Sequence, residues 1–157
     1  MQIRRAMVSD ASRVADLAMQ LTRQHQSYNP LRFVCFDGHE EQMARFIAEQ
    51  LSDPACVLLV AEHAAQTVGY ALVRMEAGSI VDISESCAWL HDIYVDEAAR
   101  GLKAGKMLLE ASIAAARELG SNVLKLHVAP QNEFAQRLFE SAGFQVTMRE
   151  MMLDLGA

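Results

Sequence analysis

Apolar residues along this chain recur with two periods, and the switches between them outline its elements. Residues 2–5 suit a short strand, after which Ser9 and Asp10 start a helix whose inward face is Val14, Leu17, Ala18 and Leu21. A second helix follows Gly38, carries Met43, Phe46, Ile47, Gln50 and Leu51 on one side, and stops at Asp53-Pro54. Residues 56–62 and 67–75 predict two strands of an antiparallel hairpin, joined by the four-residue connection His63-Ala64-Ala65-Gln66. A strand over residues 89–95 comes next. The helix after it places Ala104, Leu108, Ala111 and Ala115 at helical spacing and ends at Gly120. Residues 123–128 predict a strand cut off by Pro130, and a last helix from Asn132 turns Phe134, Ala135, Leu138, Phe139 and Ala142 inward until Gly143. Residues 144–153 alternate and predict a terminal strand. The order β-α-α-β-β-β-α-β-α-β implies a mixed α/β (α+β) fold whose sheet is antiparallel first, with one parallel pair at the end.

Two stretches lack a period. Residues 25–38 mix Tyr28, Pro30, Phe33 and Phe36 with polar residues, and residues 78–86 are polar; both read as loops of the kind that shape pockets. No linker, repeat or low-complexity tract interrupts the chain, so a single domain over 1–157 is expected. The net charge of −6 argues against a nucleic-acid or anionic-membrane surface, which needs clustered Lys and Arg, and it suits a cationic ligand better. No apolar leader follows Arg4 and Arg5, and the longest apolar run, residues 55–61, is too short to span a bilayer; a soluble cytoplasmic protein is expected. Cys35, Cys56 and Cys87 have no paired spacing and read as buried thiols. His25, His39 and His63 fall in loops or at helix starts, without the spacing of a metal site, and no metal is expected.

The segment Arg100-Gly101-Leu102-Lys103-Ala104-Gly105-Lys106 places small residues and cations where a helix begins. Unpaired N–H groups and the positive end of the helix dipole make such a start an anion site, and phosphate is the natural guest. Gly101 to Gly105 is one residue too short for the triphosphate-binding loop, and Met107 stands where a hydroxyl would hold magnesium. The dinucleotide pattern Gly-x-Gly-x-x-Gly is also missing, so nucleoside triphosphatases and nicotinamide enzymes are set aside.

The element order and four stretches resemble the GNAT superfamily of acetyl-CoA-dependent N-acetyltransferases. Ile3-Arg4-Arg5-Ala6 with Ser9-Asp10 is similar to the family's opening, and Leu90-His91-Asp92-Ile93-Tyr94-Val95 to its fourth strand. Arg100 to Gly105 is similar to the pyrophosphate motif Arg/Gln-x-x-Gly-x-Gly/Ala, with Lys103 at the first glycine. Asn132-x-x-Ala135-x-x-Leu138-Phe139 and Gly143-Phe144 are similar to the late helix and strand, with Phe139 at the usual tyrosine. The resemblance implies a GNAT-like acyl-CoA N-acyltransferase fold: a mostly antiparallel central sheet with a splayed parallel pair and helices on both faces. It implies acetyl-CoA as acetyl donor, with pantetheine along Ile93, Tyr94 and Val95, and the amides of Gly101, Leu102, Lys103, Ala104, Gly105 and Lys106 on the pyrophosphate. Arg100, Lys103 or Lys106 would meet the remaining phosphates, and Asn132 and Phe139 belong to the same cofactor site. Helical φ/ψ at Lys103 would tolerate its side chain. The resemblance also implies a homodimer, for which Met148, Met151 and Met152 are interface candidates.

Acetyl transfer to an amine requires a neutral nucleophile, a polarised carbonyl and a proton for the departing thiolate. His91 is the first candidate base, because an imidazole titrates near 6.5 and related enzymes carry a glutamate at this position; Asp92 is the second. A backbone N–H near Ile93 or Tyr94 would polarise the carbonyl. Phe139 has no proton to give, which leaves Tyr94 or water as the acid. His127 alternates with Lys125 and is expected on the surface or the cleft side. The expected function is transfer of acetyl from acetyl-CoA to a primary amine of a small cationic molecule or a peptide, by direct attack in a ternary complex. The alternative is a catalytically degenerate acyl-CoA-binding sensor or partner-binding module, for which Lys103 and Phe139 are the motive.

Overall fold

The computed structural model describes residues 1–35, 38–81 and 83–156 and divides into two compact units, Met1–His127 and Val128–Ala157. In the first, five strands lie in chain order: β1 (Gln2–Arg5), β2 (Cys56–His63), β3 (Gln66–Glu76), β4 (Cys87–Val95) and β5 (Leu124–Leu126). The first three pairings are antiparallel and β4–β5 is parallel, as the element order implies. Helices α1 (Ala11–Tyr28) and α2 (His39–Ser52) cover one face, and α3 (Ala104–Glu118) the other.

Alternation explains the core. Leu58, Val60, Tyr70 and Leu72 are alternate residues of neighbouring strands and bury against Val14, Leu17, Ala18 and Leu21 of α1. Each such leucine contributes about 1.5–3 kcal/mol by leaving water. On α2, Ile47 is fully buried but Phe46 is exposed, because it lies a full helical step around the barrel from Ile47, at the margin of the apolar stripe.

The structure shifts several boundaries. Helix α1 runs to Tyr28, so residues 25–28 are helical rather than loop, while Phe36 lies outside the described residues. The β2–β3 connection is two residues long, Ala64 and Ala65, with φ of 49° and 60°. That left-handed pair gives the twist of a tight hairpin, a geometry that asparagine and glycine usually supply. Cys56 and Cys87 are buried and Cys35 is half-buried.

The second unit holds α4 (Glu133–Ser141). Asn132 Oδ1 accepts the Ala135 N–H at 3.1 Å, and the Phe144 N–H donates to Phe139 O past Gly143, whose φ is 96°. Phe139 is buried, with its ring 5.9 Å from that of Phe144. Phe134 is exposed, since five helical steps carry it well off the Phe139 stripe. The expected terminal strand over 144–153 does not form: among the described residues this stretch has no ladder. Phe144, Val146 and Met148 keep one parity, but Glu150 breaks it and Met151 carries the apolar position to the other face.

Candidate functional site

The β3–β4 ladder slips once. Leu72 pairs with Asp92 and Val73 with Leu90, so His91 is an extra residue, a β-bulge in the middle of β4. The slip reverses the parity of the strand. The Ala88 N–H points to Val123 of the β5 side, whereas the Asp96 N–H points to Val68 beside β3. By alternation, Asp92 and Tyr94 aim their backbone groups at β3, and Ile93 and Val95 aim theirs away from it. Tyr94 O confirms this direction, lying 2.7 Å from where a Cβ on Gly69 would sit.

Nothing in β5 meets those outward groups. Its pairing with β4 covers Ala88, Trp89 and Leu90 and ends there. Beyond the bulge, the Ile93 and Val95 main chain therefore forms an edge of β4 that β5 does not pair.

On the α1 face, the bulge brings together side chains that simple alternation would have separated. Asp92 Oδ2 accepts the Tyr70 hydroxyl at 2.9 Å. Burial pushes the Asp92 carboxyl above the usual carboxylate range, opposed by the Tyr70 bond and the nearby His91 and His25. His91 Nε2 lies 2.8 Å from Glu76 Oε1, both side chains being partly open to solvent. Trp89 stands between His91 and His127, at ring separations of 6.4 and 4.8 Å, with Lys125 Nζ 5.7 Å from its centroid. His127 is exposed, in line with a surface or cleft-side place. The Tyr94 hydroxyl donates to Gln20 Oε1 of α1 at 3.3 Å, and burial raises its pKa, so it holds its proton.

Three members of this cluster escaped the sequence reading. His25 was placed in a loop, yet it sits in the last turn of α1, stacked on Phe33 at 4.8 Å and kept neutral by burial. One further helical turn past Leu21 reaches it, which is the signal that was available. Tyr70 lies within the predicted strand over 67–75 and Glu76 just past it; neither carries a local signal.

The link from β4 to α3 is held at both ends. Asp96 caps the Ala98 N–H at 3.1 Å and accepts Arg13 of α1 at 2.7 Å. The Arg100 amide donates to Glu97 O and the Met107 amide to Lys103 O; among the described residues, amides 101 to 106 make no backbone bond. Gly101 has φ of 85°, and Lys103 lies in the left-handed region at φ 62°, ψ 10°. The helical φ/ψ that would tolerate a lysine is therefore absent at Lys103, which takes a conformation natural to glycine. Arg100 pairs with Glu97 at 2.9 Å and Lys106 approaches Glu110 at 3.9 Å, while Lys103 has no ion pair among the described residues. Asn132 and Phe139 lie in the second unit, the one capping α4 and the other buried on it.

Residues 20–144 match the model of the acetyltransferase (GNAT) family. The chain belongs to that family. An uncharacterized N-acetyltransferase of Mycobacterium tuberculosis is 31% identical over 103 residues, a stretch covering 66% of this chain and 61% of the relative, so the chain spans about three-fifths of that relative's length. A Bacillus halodurans protein of known structure superposes with a TM-score of 0.82 at 25% identity, covering 99% of this chain and all of that one. An aminoglycoside N-acetyltransferase in complex with CoA superposes with a TM-score of 0.74 at 16% identity over 99% of this chain and all of that one, which extends the likeness in fold alone. The donor of GNAT enzymes is acetyl-CoA. The residues present fit it: an unpaired strand edge suits an amide-bearing arm, and six unbonded amides at a helix start suit a pyrophosphate.

Proposed function

We propose that this GNAT chain, acting as one domain, transfers the acetyl group of acetyl-CoA to a primary amine of a small cationic molecule or a peptide, by direct attack in a ternary complex. The observation that carries this reading is the bulge at His91. One inserted residue puts two candidate bases on the α1 face and leaves the Ile93 and Val95 main chain unpaired by β5. Bound there, acetyl-CoA supplies an activated thioester acyl group. The amides of Gly101, Leu102, Lys103, Ala104, Gly105 and Lys106 and the charges of Arg100, Lys103 and Lys106 hold its phosphates. His91 takes the proton of the acceptor amine, with Asp92 as second base. Backbone direction moves the role of carbonyl-polarising donor from Tyr94 to Ile93 or Val95. Tyr94, kept protonated by burial, is the side-chain acid once it leaves Gln20, and water is its substitute.

The loops around residues 29–38 and 78–86 select the acceptor; Ile80, Val81 and Ile83 stand fully exposed in the second. A cytoplasmic placement is part of this reading; no helix among the described residues is long and apolar enough to cross a membrane. A homodimer is part of this reading, with exposed Met148 and Met151 and half-exposed Met152 as contact residues. Light scattering reads its mass.

The test is release of coenzyme A from acetyl-CoA across a panel of polyamines, aminoglycosides and peptides. Activity that His91→Ala or Asp92→Ala removes, with donor affinity unchanged, supports the reading. Donor binding without release on any amine supports the sensor alternative, which the missing hydroxyl at Phe139 favours.

A further inference from the structure

The geometry points to Glu76 as a positioning residue that fixes which ring nitrogen of His91 is free to take a proton. The inference rests on the proposed role of His91 and adds the tautomer and the group that sets it.

Glu76 ends β3, and its side chain shares the α1–α2 face with Arg74, two residues earlier. In a regular ladder, the residue after Leu90 on this face would be Asp92; the bulge inserts His91 there and swings its ring to Glu76 Oε1, 2.8 Å from Nε2. An ionised carboxylate only accepts, so the proton of that bond sits on Nε2, and a neutral imidazole has a single N–H. The lone pair left for chemistry is on Nδ1.

Glu76 is itself braced. Arg74 Nε lies 3.6 Å from Glu76 Oε1, its Nη2 3.4 Å from Asp53 and its Nη1 3.1 Å from Gln50 Oε1. The guanidinium thus stands beside the Glu76 carboxylate while it donates to Gln50 of α2. The groups that face or neighbour the imidazole are then Glu76, Asp92 and His25 on the α1 side, Arg74 and Asp53 behind Glu76, and Lys125 with His127 across Trp89.

The proton step balances on these atoms. An N–H bond of the acceptor ammonium breaks, an Nδ1–H bond forms, and the positive charge moves to the ring, where the Nε2–H···Glu76 bond compensates it. The partly exposed dyad returns the proton to water.

The experiment is nitrogen and proton NMR of the histidine rings in the intact protein and in Glu76→Gln, with the pH profile of kcat/KM on the best amine. A glutamine is neutral, fits the same space and presents either a donor or an acceptor. The expected result is a ring protonated on Nε2, with a slowly exchanging proton, in the parent, and a mixture of the two tautomers with faster exchange in the variant. kcat/KM falls with it across the pH profile. A tautomer the substitution leaves in place, or a parent ring protonated on Nδ1 at neutral pH, overturns the assignment of Glu76. Full turnover in His91→Gln overturns the role of His91 itself, and the NMR result separates that failure from the first.

Discussion

Replacing Lys103 by glycine should make the protein more stable, although it deletes a charged residue of the candidate phosphate site. Lys103 sits at φ 62°, ψ 10°, just before α3, where a Cβ crowds the following carbonyl. An L-residue other than glycine loses about 1–2 kcal/mol in that region. Glycine relieves this but adds freedom to the unfolded chain worth about 0.4–1 kcal/mol, so the net gain is about 0.5–1 kcal/mol. Unfolding a chain of 157 residues at about 2.1 cal/mol/K per residue makes this a rise in Tm of about 2–3 °C. The control is Lys103→Ala, which keeps the Cβ and removes the cation from the positive end of α3; it reports the dipole contribution, about 0.3–1 kcal/mol at low salt and less in 0.3 M salt. Both variants are melted by calorimetry at the two ionic strengths. A Lys103→Gly protein that melts at or below Lys103→Ala in high salt would refute the reasoning, since the left-handed strain would then be absent or relaxed elsewhere.

Three further outcomes follow from the same geometry. Asp92→Asn should raise Tm at neutral pH while lowering kcat/KM: burial holds the Asp92 carboxyl above its ordinary value near 3.9, so its ionisation costs stability as pH rises through the folded value, and an amide removes that cost while still accepting from Tyr70. An unchanged Tm profile from pH 4 to 8 would contradict it. Asp10 has the opposite sign. Arg4, at 2.7 and 3.0 Å, and the Met7 N–H hold its carboxyl below the usual range, so Asp10→Asn should cost about 2 kcal/mol near neutrality, with the gap from the parent closing as pH falls below about 4. Urea midpoints at several pH values measure it, and a gap constant into strong acid would count against the pairing. Gly69→Ala puts a Cβ 2.7 Å from Tyr94 O, which must separate β3 from β4 and should cost about 1–3 kcal/mol in chemical denaturation and weaken coenzyme A binding by calorimetry.

Most of the fold was legible because its elements obey a period. Val14, Leu17, Ala18 and Leu21 specify the buried face of α1, and Gly120 and Gly143 end helices at positive φ as expected. What escaped depends on the chain departing from a period. The hairpin turn of Ala64 and Ala65 hid behind residues with no turn preference, and the strand over 144–153 failed where its alternation changes face. A lysine gives no hint of left-handed backbone at position 103; the glycine it replaces in the motif is the better guide.

The candidate site was legible as residue types and illegible as geometry, and His91 shows why. Read as a regular strand, residues 89–95 put Trp89, His91, Ile93 and Val95 on one side and Asp92 with Tyr94 on the other. In the structure, the ladder is regular only if His91 is left out: Leu90 and Asp92 then occupy consecutive positions, and alternation continues unbroken from Cys87 to Val95. The insertion therefore costs the sheet little beyond one unpaired residue, while it adds an imidazole between Trp89 and Asp92. The same step lets Leu90 pair with β5 while Ile93 and Val95 turn their backbone away from β3, unpaired by β5. Side-chain chemistry on the α1 face and an open main-chain edge are thus two results of one local slip. Neither exists in the pattern of apolar and polar residues, because a bulge is defined by the partner strand and not by the strand that carries it.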